Sequence, residues 1–394
     1  NILHHYVLIS TSRKCSVIYN GVDQKSCVQV VQKGTCLTVK VRVEDYCEIT
    51  EALLDGQDCR TSLVRCDGYY ILEIEDVEAD VHLNFRADFK QDGSLPEGAY
   101  ETEVDGVPCQ FFVKNGEVTI GAFDQYGNPS TEPAMSWPQP SGTVYLPSTI
   151  AGFPVVRIAK SAFAYETNLK GIVIPEGVRE IDAYAFFATG LEFASLPETL
   201  ERIGASAFSG CYELADVALP SNVRVVEDRA FESTAIEVFH IPASVESFGE
   251  AVLDGCWYLP EVSVAEENEH YFADDGSLFN SDATEVLYWP LDKEISIPST
   301  VVKIGESAFA NNLTMTNGEV VIPDSVKIIG SCAFSCCYAD KITLGSSVEE
   351  IGVVAFQNNY CESYVIHPSV RVIGGGAFAS NPYLLSVCFE GDKP

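Results

Sequence analysis

The chain has 394 residues, of which 46% are hydrophobic and 21% are charged, a composition typical of folded globular proteins. It carries 24 Lys and Arg against 57 Asp and Glu, a formal net charge of −33. Nucleic acids and anionic lipid headgroups are recognised by Lys and Arg, so this charge excludes nucleic acid from the expected partners and argues against binding to a membrane surface. No run of about 18 uncharged apolar residues occurs, so we also expect no direct membrane insertion.

Residues 1–89 are predicted to form a small β-sandwich. Runs of β-branched and aromatic residues, such as Cys36–Val43 and Val81–Phe85, often alternate with polar residues. Turn signals separate these runs, including Asn20-Gly21, Asp55-Gly56 and Asp67-Gly68. Short strands at this spacing are typical of sandwiches, and the segment resembles the immunoglobulin-like modules of bacterial surface proteins. Such a module serves either as a spacer or as a ligand-binding domain.

Cysteines are dense in the same segment. Small secreted domains are often stapled by disulfides, whereas buried free thiols pack as small apolar side chains. The spacings match no metal site and leave both the oxidation state and any pairing open. The segment holds six of the fourteen cysteines of the chain, namely Cys15, Cys27, Cys36, Cys47, Cys59 and Cys66.

A linker and a cap are predicted next. Residues 90–99 are rich in Gly and Pro and lack an apolar period, which indicates a linker. Residues 100–142 are predicted to begin as a β-meander with turns at Asp105-Gly106 and Asn115-Gly116. We expect this meander to cap the repeats that follow, because the first unit of a repeat array has no neighbour on one side.

One short motif recurs from residue 143 to residue 394. Its plainest copies are Ile174–Phe186 and Ile322–Phe334, and most copies follow one another after 22 or 23 residues. A unit of this length falls in the leucine-rich-repeat range and cannot bury its apolar face alone, so neighbouring units must stack into a solenoid. We count nine units, with Leu253 in the place of Phe in one of them and an insertion near 265–292. The Ala-Phe pairs of the other eight units end at Phe163, Phe186, Phe208, Phe231, Phe309, Phe334, Phe356 and Phe378.

The repeats resemble the BspA-like leucine-rich-repeat family over roughly residues 98–394. The resemblance rests on the recurring Ile-Pro-x-x-Val-x-x-Ile-Gly-x-x-Ala-Phe pattern, on its opening copy Leu146–Phe163 and on the long unit with Tyr271–Pro290. Departures are local, such as Leu253 for a Phe and Gly345 for a Pro. The resemblance implies a surface-anchored protein that works by adhesion to host matrix proteins or to other cells.

The predicted fold is mostly β: a leucine-rich-repeat solenoid with a parallel sheet and short helical turns, preceded by the β-sandwich. Each unit divides into two parts, as in Leu214–Pro220, where apolar residues alternate and Pro ends the strand by removing a ladder donor. Ala-Phe then lies in a tight turn or short helical piece on the opposite side. We expect the Phe of each turn, for example Phe208, to fill the interior of the coil.

The outward positions of these strands are the expected place for function in a repeat protein. Counted from each Pro, they give an apolar and aromatic patch flanked by two carboxylates. We hypothesise that this patch binds a ligand, the alternative being ordinary solvated sheet residues. The five candidate residues are Phe193, Asp216, Val238, His240 and Glu261.

No catalytic or metal motif is recognised. The six histidines are scattered, and no His-Glu-x-x-His, Gly-x-Ser-x-Gly or phosphate-loop pattern occurs. Cys332, Cys336 and Cys337 lack a fourth ligand at a matching spacing, and Cys211, Cys256 and Cys337 occupy one repeat position where a small buried residue is expected. The acidic stretch 266–275 lacks the ligand spacing of an EF-hand and is expected to be a solvated loop. We therefore expect no enzyme, no cofactor and no metal.

These observations favour a secreted or cell-surface protein whose function is non-covalent recognition. The expected partner is a protein ligand, either of the host matrix or of another cell surface, as the family resemblance implies. A glycan-binding module for nutrient capture and a structural spacer without its own ligand are the alternatives. The chain opens at Asn1 without an apolar signal core, so we expect any signal or anchor segment to be absent from it.

Overall fold

A computed structural model describes residues 4–391 except 13, 20–21, 67–68, 76, 124–127, 129, 131–132, 136–138 and 313–317. The predicted turns at Asn20-Gly21 and Asp67-Gly68 lie outside the described residues. The chain divides into two compact units. The first comprises Asn1–Glu97, Val113–Gly116 and Thr149–Pro154, and the second comprises Gly98–Phe112, Glu117–Ser148 and Val155–Pro394.

The first unit contains two five-stranded sheets, in the orders β4-β1-β10-β6-β7 and β3-β2-β5-β9-β8. Asp55 and Gly56 both have positive φ and form the tight turn between β6 and β7. The one helix of the described residues is a 3₁₀ turn at Arg60–Ser62. The strands are β1 His4–Thr11, β2 Cys15–Tyr19, β3 Val22–Gln24, β4 Ser26–Gln32, β5 Leu37–Val43, β6 Cys47–Leu54, β7 Gln57–Asp58, β8 Val64–Cys66, β9 Tyr69–Ile74 and β10 Val81–Phe89.

The two sheets share one apolar core. In strand β10 every second residue is buried and the residues between them are exposed or partly exposed, so alternate side chains point inward. Val7 and Phe85 of one sheet and Val17 and Val41 of the other are fully buried in the same cluster. All six cysteines of this segment are free thiols in the structure.

The second unit is a solenoid with two sheets along its length, in which strands of successive coils pair in parallel. The first sheet, predicted from the sequence, is formed by the strands that precede each Pro. It runs in four separately paired groups, namely Gly142–Tyr145, Leu169–Val173, Phe193–Ser195 and Asp216–Val217; Phe239–Ile241 and Val262–Val264; Glu319–Val321 and Lys341–Thr343; Ser363–Ile366 and Ser386–Phe389.

The second sheet was not predicted. It is formed mainly by two-residue strands that follow each Pro, such as Arg202–Ile203, and each pairs with its equivalents in the neighbouring coils. One part contains Gly98–Val104, Val107–Lys114, Glu117–Ile120, Phe153–Ile158, Glu180–Ile181, Arg202–Ile203, Val225–Val226 and Ser247–Phe248. The other contains Tyr271–Asp274, Ser277–Asn280, Glu285–Tyr288, Lys303–Ile304, Ile328–Ile329, Glu350–Ile351 and Val372–Ile373. The short strand Thr149–Ile150 belongs to the first unit.

The Ala-Phe segments form turns on the remaining side of the coil. Residues two positions before and two positions after the Phe have positive φ, as Ser206 (53°) and Gly210 (75°) do around Phe208. This left-handed backbone interrupts a helix and explains why turns form. The turns are bonded from coil to coil, since the Phe208 amide donates to the Ala230 carbonyl oxygen at 2.8 Å.

The Phe side chains form a stacked column inside the solenoid. Phe208 is fully buried, and its ring centroid lies 5.1 Å from that of Phe186 and 5.3 Å from that of Phe231, in nearly parallel planes. The column is interrupted at Leu253, and the Trp289 ring contacts Phe309 at 5.2 Å where it resumes. The interior position predicted for these Phe residues is confirmed, as is the mostly β solenoid fold.

A second column of buried side chains lies three residues after each Phe. Cys211, Cys256 and Cys337 are buried there, as expected for small residues. Their role is also polar, because the Cys211 thiol donates to the Phe186 carbonyl oxygen at 3.0 Å. Asn359 occupies the equivalent position, and its amide donates to the Phe334 and Phe356 carbonyl oxygens at 2.8 and 3.0 Å. This column satisfies turn carbonyls that would otherwise be buried without a partner.

Candidate functional site

Along the strands of the first sheet, side chains alternate between the core and the outward face. In Phe193–Ser195, Ala194 is buried while Phe193 is half-buried and Ser195 is exposed. In Phe239–Ile241 the pattern is reversed, because the central residue His240 is exposed and the residues on either side are buried. The outward face, defined as the outward residues of this sheet, therefore contains the five residues predicted from the sequence.

Phe193 lies over a glycine of the neighbouring coil. Phe193 pairs with Gly171 in the parallel ladder, and a Cβ atom added to Gly171 would lie 2.3 Å from two atoms of the Phe193 ring. Only glycine permits this approach, because contacts of that length do not occur between real side chains and a Cβ. One side of the ring thus covers Gly171, and the rest remains available on the outward face.

The structure separates the five candidate residues into two groups. Phe193 pairs directly with Asp216, which is exposed. Strand pairing ends at Asp216–Val217 and resumes in a separate pair, Phe239–Ile241 with Val262–Val264. Val238, His240 and Glu261 belong to the coils of this second pair. The predicted patch is therefore a succession of coils interrupted by one break in the ladder.

Val238 is the most exposed apolar member of the patch, with 76% of its surface accessible. His240 pairs with Ser263 in the parallel ladder, and its Nδ1 lies 3.0 Å from the Ser263 hydroxyl. That hydroxyl also donates to the Phe239 carbonyl oxygen at 3.4 Å, so His240 is fixed against the next coil. The pair lies on an open strand face, where it orients the imidazole outward.

Glu261 adjoins the inserted hairpin. A Cβ atom on Gly276, at the tip of the hairpin, would lie 2.6 Å from the Glu261 Cβ, and the Val262 amide donates to the Gly276 carbonyl oxygen at 3.1 Å. Asp216 and Glu261 have no side-chain partner among the residues that the structure describes. Two carboxylates without internal partners thus flank the apolar part of the patch.

The second sheet presents a different surface, because many of its charged side chains are paired within the protein. Arg202 contacts Glu227 at 2.7 Å and Asp182 at 3.3 Å. Lys303 contacts both Glu250 and Glu285 at 2.6 Å. Burial raises the pKa of Asp182, although two Arg side chains oppose that shift. Intramolecular ion pairs therefore occupy the outer side of this sheet.

A row of aromatic residues was missed from the sequence. It lies four residues after the Ala-Phe position or its equivalent, on the loops that lead into the first sheet. Tyr212 and Trp257 of this row are 75% and 57% exposed. Near the C-terminus, Tyr338 and Tyr360 of this row have ring centroids 5.3 Å apart, and Tyr383, one position later in its unit, contacts Tyr360 with centroids 5.5 Å apart. The constant offset in the sequence is the signal that could have identified this row.

Within the described part of the chain, no group of three or more His, Cys, Asp or Glu side chains is arranged to hold a metal ion. In the acidic stretch, the Asn268 side chain accepts hydrogen bonds from the His270 and Tyr271 amides, which fixes a turn. No helix among the described residues has the length and hydropathy needed to cross a membrane.

Comparison with known proteins identifies the repeats. A family model described as a BspA type leucine-rich-repeat region matches residues 143–260 and 288–392 in six copies, more than half of the chain. A comparison with curated proteins gives no match.

Three solved structures with the same fold are distant from this chain in sequence. The pneumococcal vaccine antigen PcpA is 22% identical, with 75% of this chain and 82% of that chain covered and a TM-score of 0.58. A leucine-rich cell surface protein from Faecalibacterium prausnitzii is 22% identical, with 75% and 96% covered and a TM-score of 0.52. A leucine-rich-repeat protein from Eubacterium ventriosum is 18% identical, with 74% and 84% covered and a TM-score of 0.50.

Proposed function

The chain belongs to the BspA-type leucine-rich-repeat family, and on this basis we propose that it is a cell-surface or secreted adhesion protein that binds a protein ligand through the outward face of the first sheet. Repeat solenoids provide extended surfaces on which side chains from successive coils act together. The coarse assignment to a repeat-based interaction module rests on the family. The ligand class, the surface location and the binding residues are the parts that we propose.

One observation carries the choice of face. The predicted patch on the outward face has a half-buried Phe193 and an exposed Val238, whereas the residues Arg202 and Lys303 of the second sheet are engaged in ion pairs. An apolar and aromatic centre with a polar rim is the usual anatomy of a protein interface. Phe193 is well suited as an anchor, because Gly171 holds one side of its ring and so reduces the entropy lost on binding.

The charge of the patch indicates the chemistry of the ligand. Asp216 and Glu261 flank the apolar centre without internal partners among the described residues, and the whole chain carries a net charge of −33. A ligand surface with Lys or Arg around an apolar centre would complement this arrangement. We expect association to slow as salt rises, because electrostatic steering acts mainly on the association rate.

The relatives support a location at the surface of a cell. The solved protein from Faecalibacterium prausnitzii is named as a cell surface protein, and PcpA is named as a vaccine antigen. A surface location would place the repeats where they meet host matrix proteins or other cells. Adhesion is the function that we propose, because it accounts both for a location at the cell surface and for an exposed face suited to non-covalent contact.

The test is binding of the purified chain to an array that holds host matrix proteins beside glycans. The Phe193→Asp/His240→Asp double variant should lose binding to the protein ligand. Val321→Asp is the matched control, since Val321 is an outward residue of the same sheet, 60% exposed and outside the patch. Far-ultraviolet circular dichroism and thermal unfolding of both variants would establish that the fold is kept.

The outcomes separate the candidate functions. Binding to a matrix protein that the double variant loses and Val321→Asp keeps would support adhesion through this face. Binding to glycans alone would favour nutrient capture and contradict the proposal. Absence of binding to any array component would favour a spacer role.

A further inference from the structure

A groove crosses the first sheet near its C-terminal end, several coils away from the Phe193 patch. It lies between the strands Lys341–Thr343 and Ser363–Ile366, where the ladder is again interrupted. Its volume is about 820 Å³, within the range of sites that hold small ligands, roughly 300–1,000 Å³. Because these two strands are not paired with each other, the space between them forms the groove.

Two tyrosines form one side of this groove. Tyr360 and Tyr383 both line it, and their rings meet edge to face with centroids 5.5 Å apart and planes inclined at 74°. Tyr338 supports Tyr360 from the preceding coil at 5.3 Å. Tyr383 is 59% exposed, so ring surface is available to a ligand. The two rings thus offer a preformed aromatic corner at small entropic cost.

The polar lining supplies both acceptors and donors. The carboxylates of Asp340 and Glu362 and the hydroxyl of Ser363 have no side-chain partner among the residues that the structure describes. Lys341 and His367 are also in the lining, and each contacts a glutamate, Glu319 and Glu390 respectively, at 2.7 Å. Free acceptors therefore stand beside basic side chains that are already paired.

We propose that this groove binds a neutral oligosaccharide. The C–H faces of a sugar ring are apolar and match the tyrosine corner, while its hydroxyl groups match carboxylate and hydroxyl oxygens. Sulfated or carboxylated sugars would be repelled by Asp340 and Glu362, since the nearby basic side chains Lys341 and His367 are already paired with glutamates. A Lys-rich peptide would meet Lys341 and His367 in the same groove, which makes it a poorer match than an uncharged ligand.

This site is independent of the proposed adhesion through the Phe193 patch. It shares no residue with that patch, and either proposal can fail while the other holds. The two together would describe a surface protein that contacts a protein through one part of the sheet and a glycan through another.

Calorimetric titration of the whole chain tests the proposal. The probes are short oligosaccharides of glucose, mannose, galactose or xylose, with a heparin fragment and an oligolysine as charged comparisons. Tyr383→Ala should weaken binding of the active saccharide by about tenfold or more, the loss typical of truncating an aromatic anchor. Tyr212→Ala is the matched control, because this 75% exposed tyrosine occupies the same repeat position as Tyr360 outside the groove. An Asp340→Asn/Glu362→Gln variant should weaken binding without changing the shape of the groove.

The proposal is supported if a neutral saccharide binds, Tyr383→Ala weakens it and Tyr212→Ala does not. It is overturned if no neutral saccharide of the panel binds, or if the two tyrosine variants bind equally well. Tighter binding of oligolysine or heparin that depends on Tyr383 would also overturn it and assign the groove to a charged ligand. Both tyrosines that are changed are mostly exposed, so loss of folding is not expected to obscure the result.

Discussion

Replacing Phe208 by Ala should destabilise the solenoid by about 4–5 kcal/mol, the upper part of the range for buried Phe→Ala changes. The side chain is fully buried and lies between the rings of Phe186 and Phe231, at 5.1 and 5.3 Å. Inter-coil hydrogen bonds such as Phe208 N to Ala230 O, 2.8 Å, hold the coils at fixed spacing. The cavity therefore cannot close, and the loss of two aromatic contacts adds to the loss of buried area.

Urea unfolding monitored by tryptophan fluorescence is the appropriate assay. The three tryptophans, at positions 137, 257 and 289, all follow residue 98 in the sequence, so the signal reports the repeat-containing part. The change in unfolding free energy follows from the shift of the urea midpoint at constant slope. A change of slope would indicate that a group of coils unfolds separately, as repeat arrays allow.

Phe378→Ala is the matched control. Phe378 stacks on Phe356 at 5.7 Å and its ring also contacts that of Tyr364 at 4.6 Å, but the side chain is only half-buried because it lies at the end of the column. Its replacement should cost about 1–3 kcal/mol, clearly less than at the central position. Equal losses for the two variants, or a loss below about 2 kcal/mol for Phe208→Ala, would refute the reasoning that the stacked column is a rigid core.

Three further changes test other parts of the structure. Glu166 is 2% exposed, one carboxylate oxygen has no partner, and burial raises its pKa, so the folded state holds its proton more tightly than the unfolded state. The free energy of unfolding should therefore fall as pH rises from the ordinary pKa of the carboxyl group, about 4.5, through the raised pKa of the folded state. Glu166→Gln should remove this pH dependence and add about 1–2 kcal/mol of stability at neutral pH. Thermal unfolding across this pH range measures both effects. Gly171→Ala should displace the Phe193 ring, cost about 1–3 kcal/mol in urea unfolding and weaken ligand binding on the array, because no room exists for the added Cβ. Asn359→Ala should cost about 2–3 kcal/mol in the same unfolding assay, since buried carbonyl oxygens and the Ala339 amide lose their partner. Unchanged stability of Asn359→Ala would show that water replaces the side chain.

Much of the solenoid could be predicted because its signals repeat. The Pro that ends each strand of the first sheet and the Ala-Phe of each turn recur at a nearly constant spacing, and the structure places both as expected. The second sheet was missed because its strands, such as Arg202–Ile203, are two residues long. Alternation cannot be recognised over two residues, and these strands exist only through pairing with neighbouring coils.

The candidate binding residues were less accessible to sequence reasoning. Outward positions could be counted from each Pro, so Phe193 and His240 could be placed on the outward face of the first sheet. Their surroundings depend on the register between coils, which decides that Phe193 lies over Gly171 and that His240 meets Ser263. The tyrosine row was missed because it lies on loops before the strands, where no alternating pattern draws attention to it.

The central claim is that a protein ligand is recognised through the outward face of the first sheet. Hydroxyl-radical footprinting of the whole chain, with and without the protein ligand selected on the array, tests it most directly. The account predicts that oxidation decreases at Phe193, Val238 and His240, while exposed Tyr165 and Tyr184 on the turn side keep their reactivity. Protection of the turn side or the second sheet, with unchanged oxidation at Phe193 and His240, would contradict it.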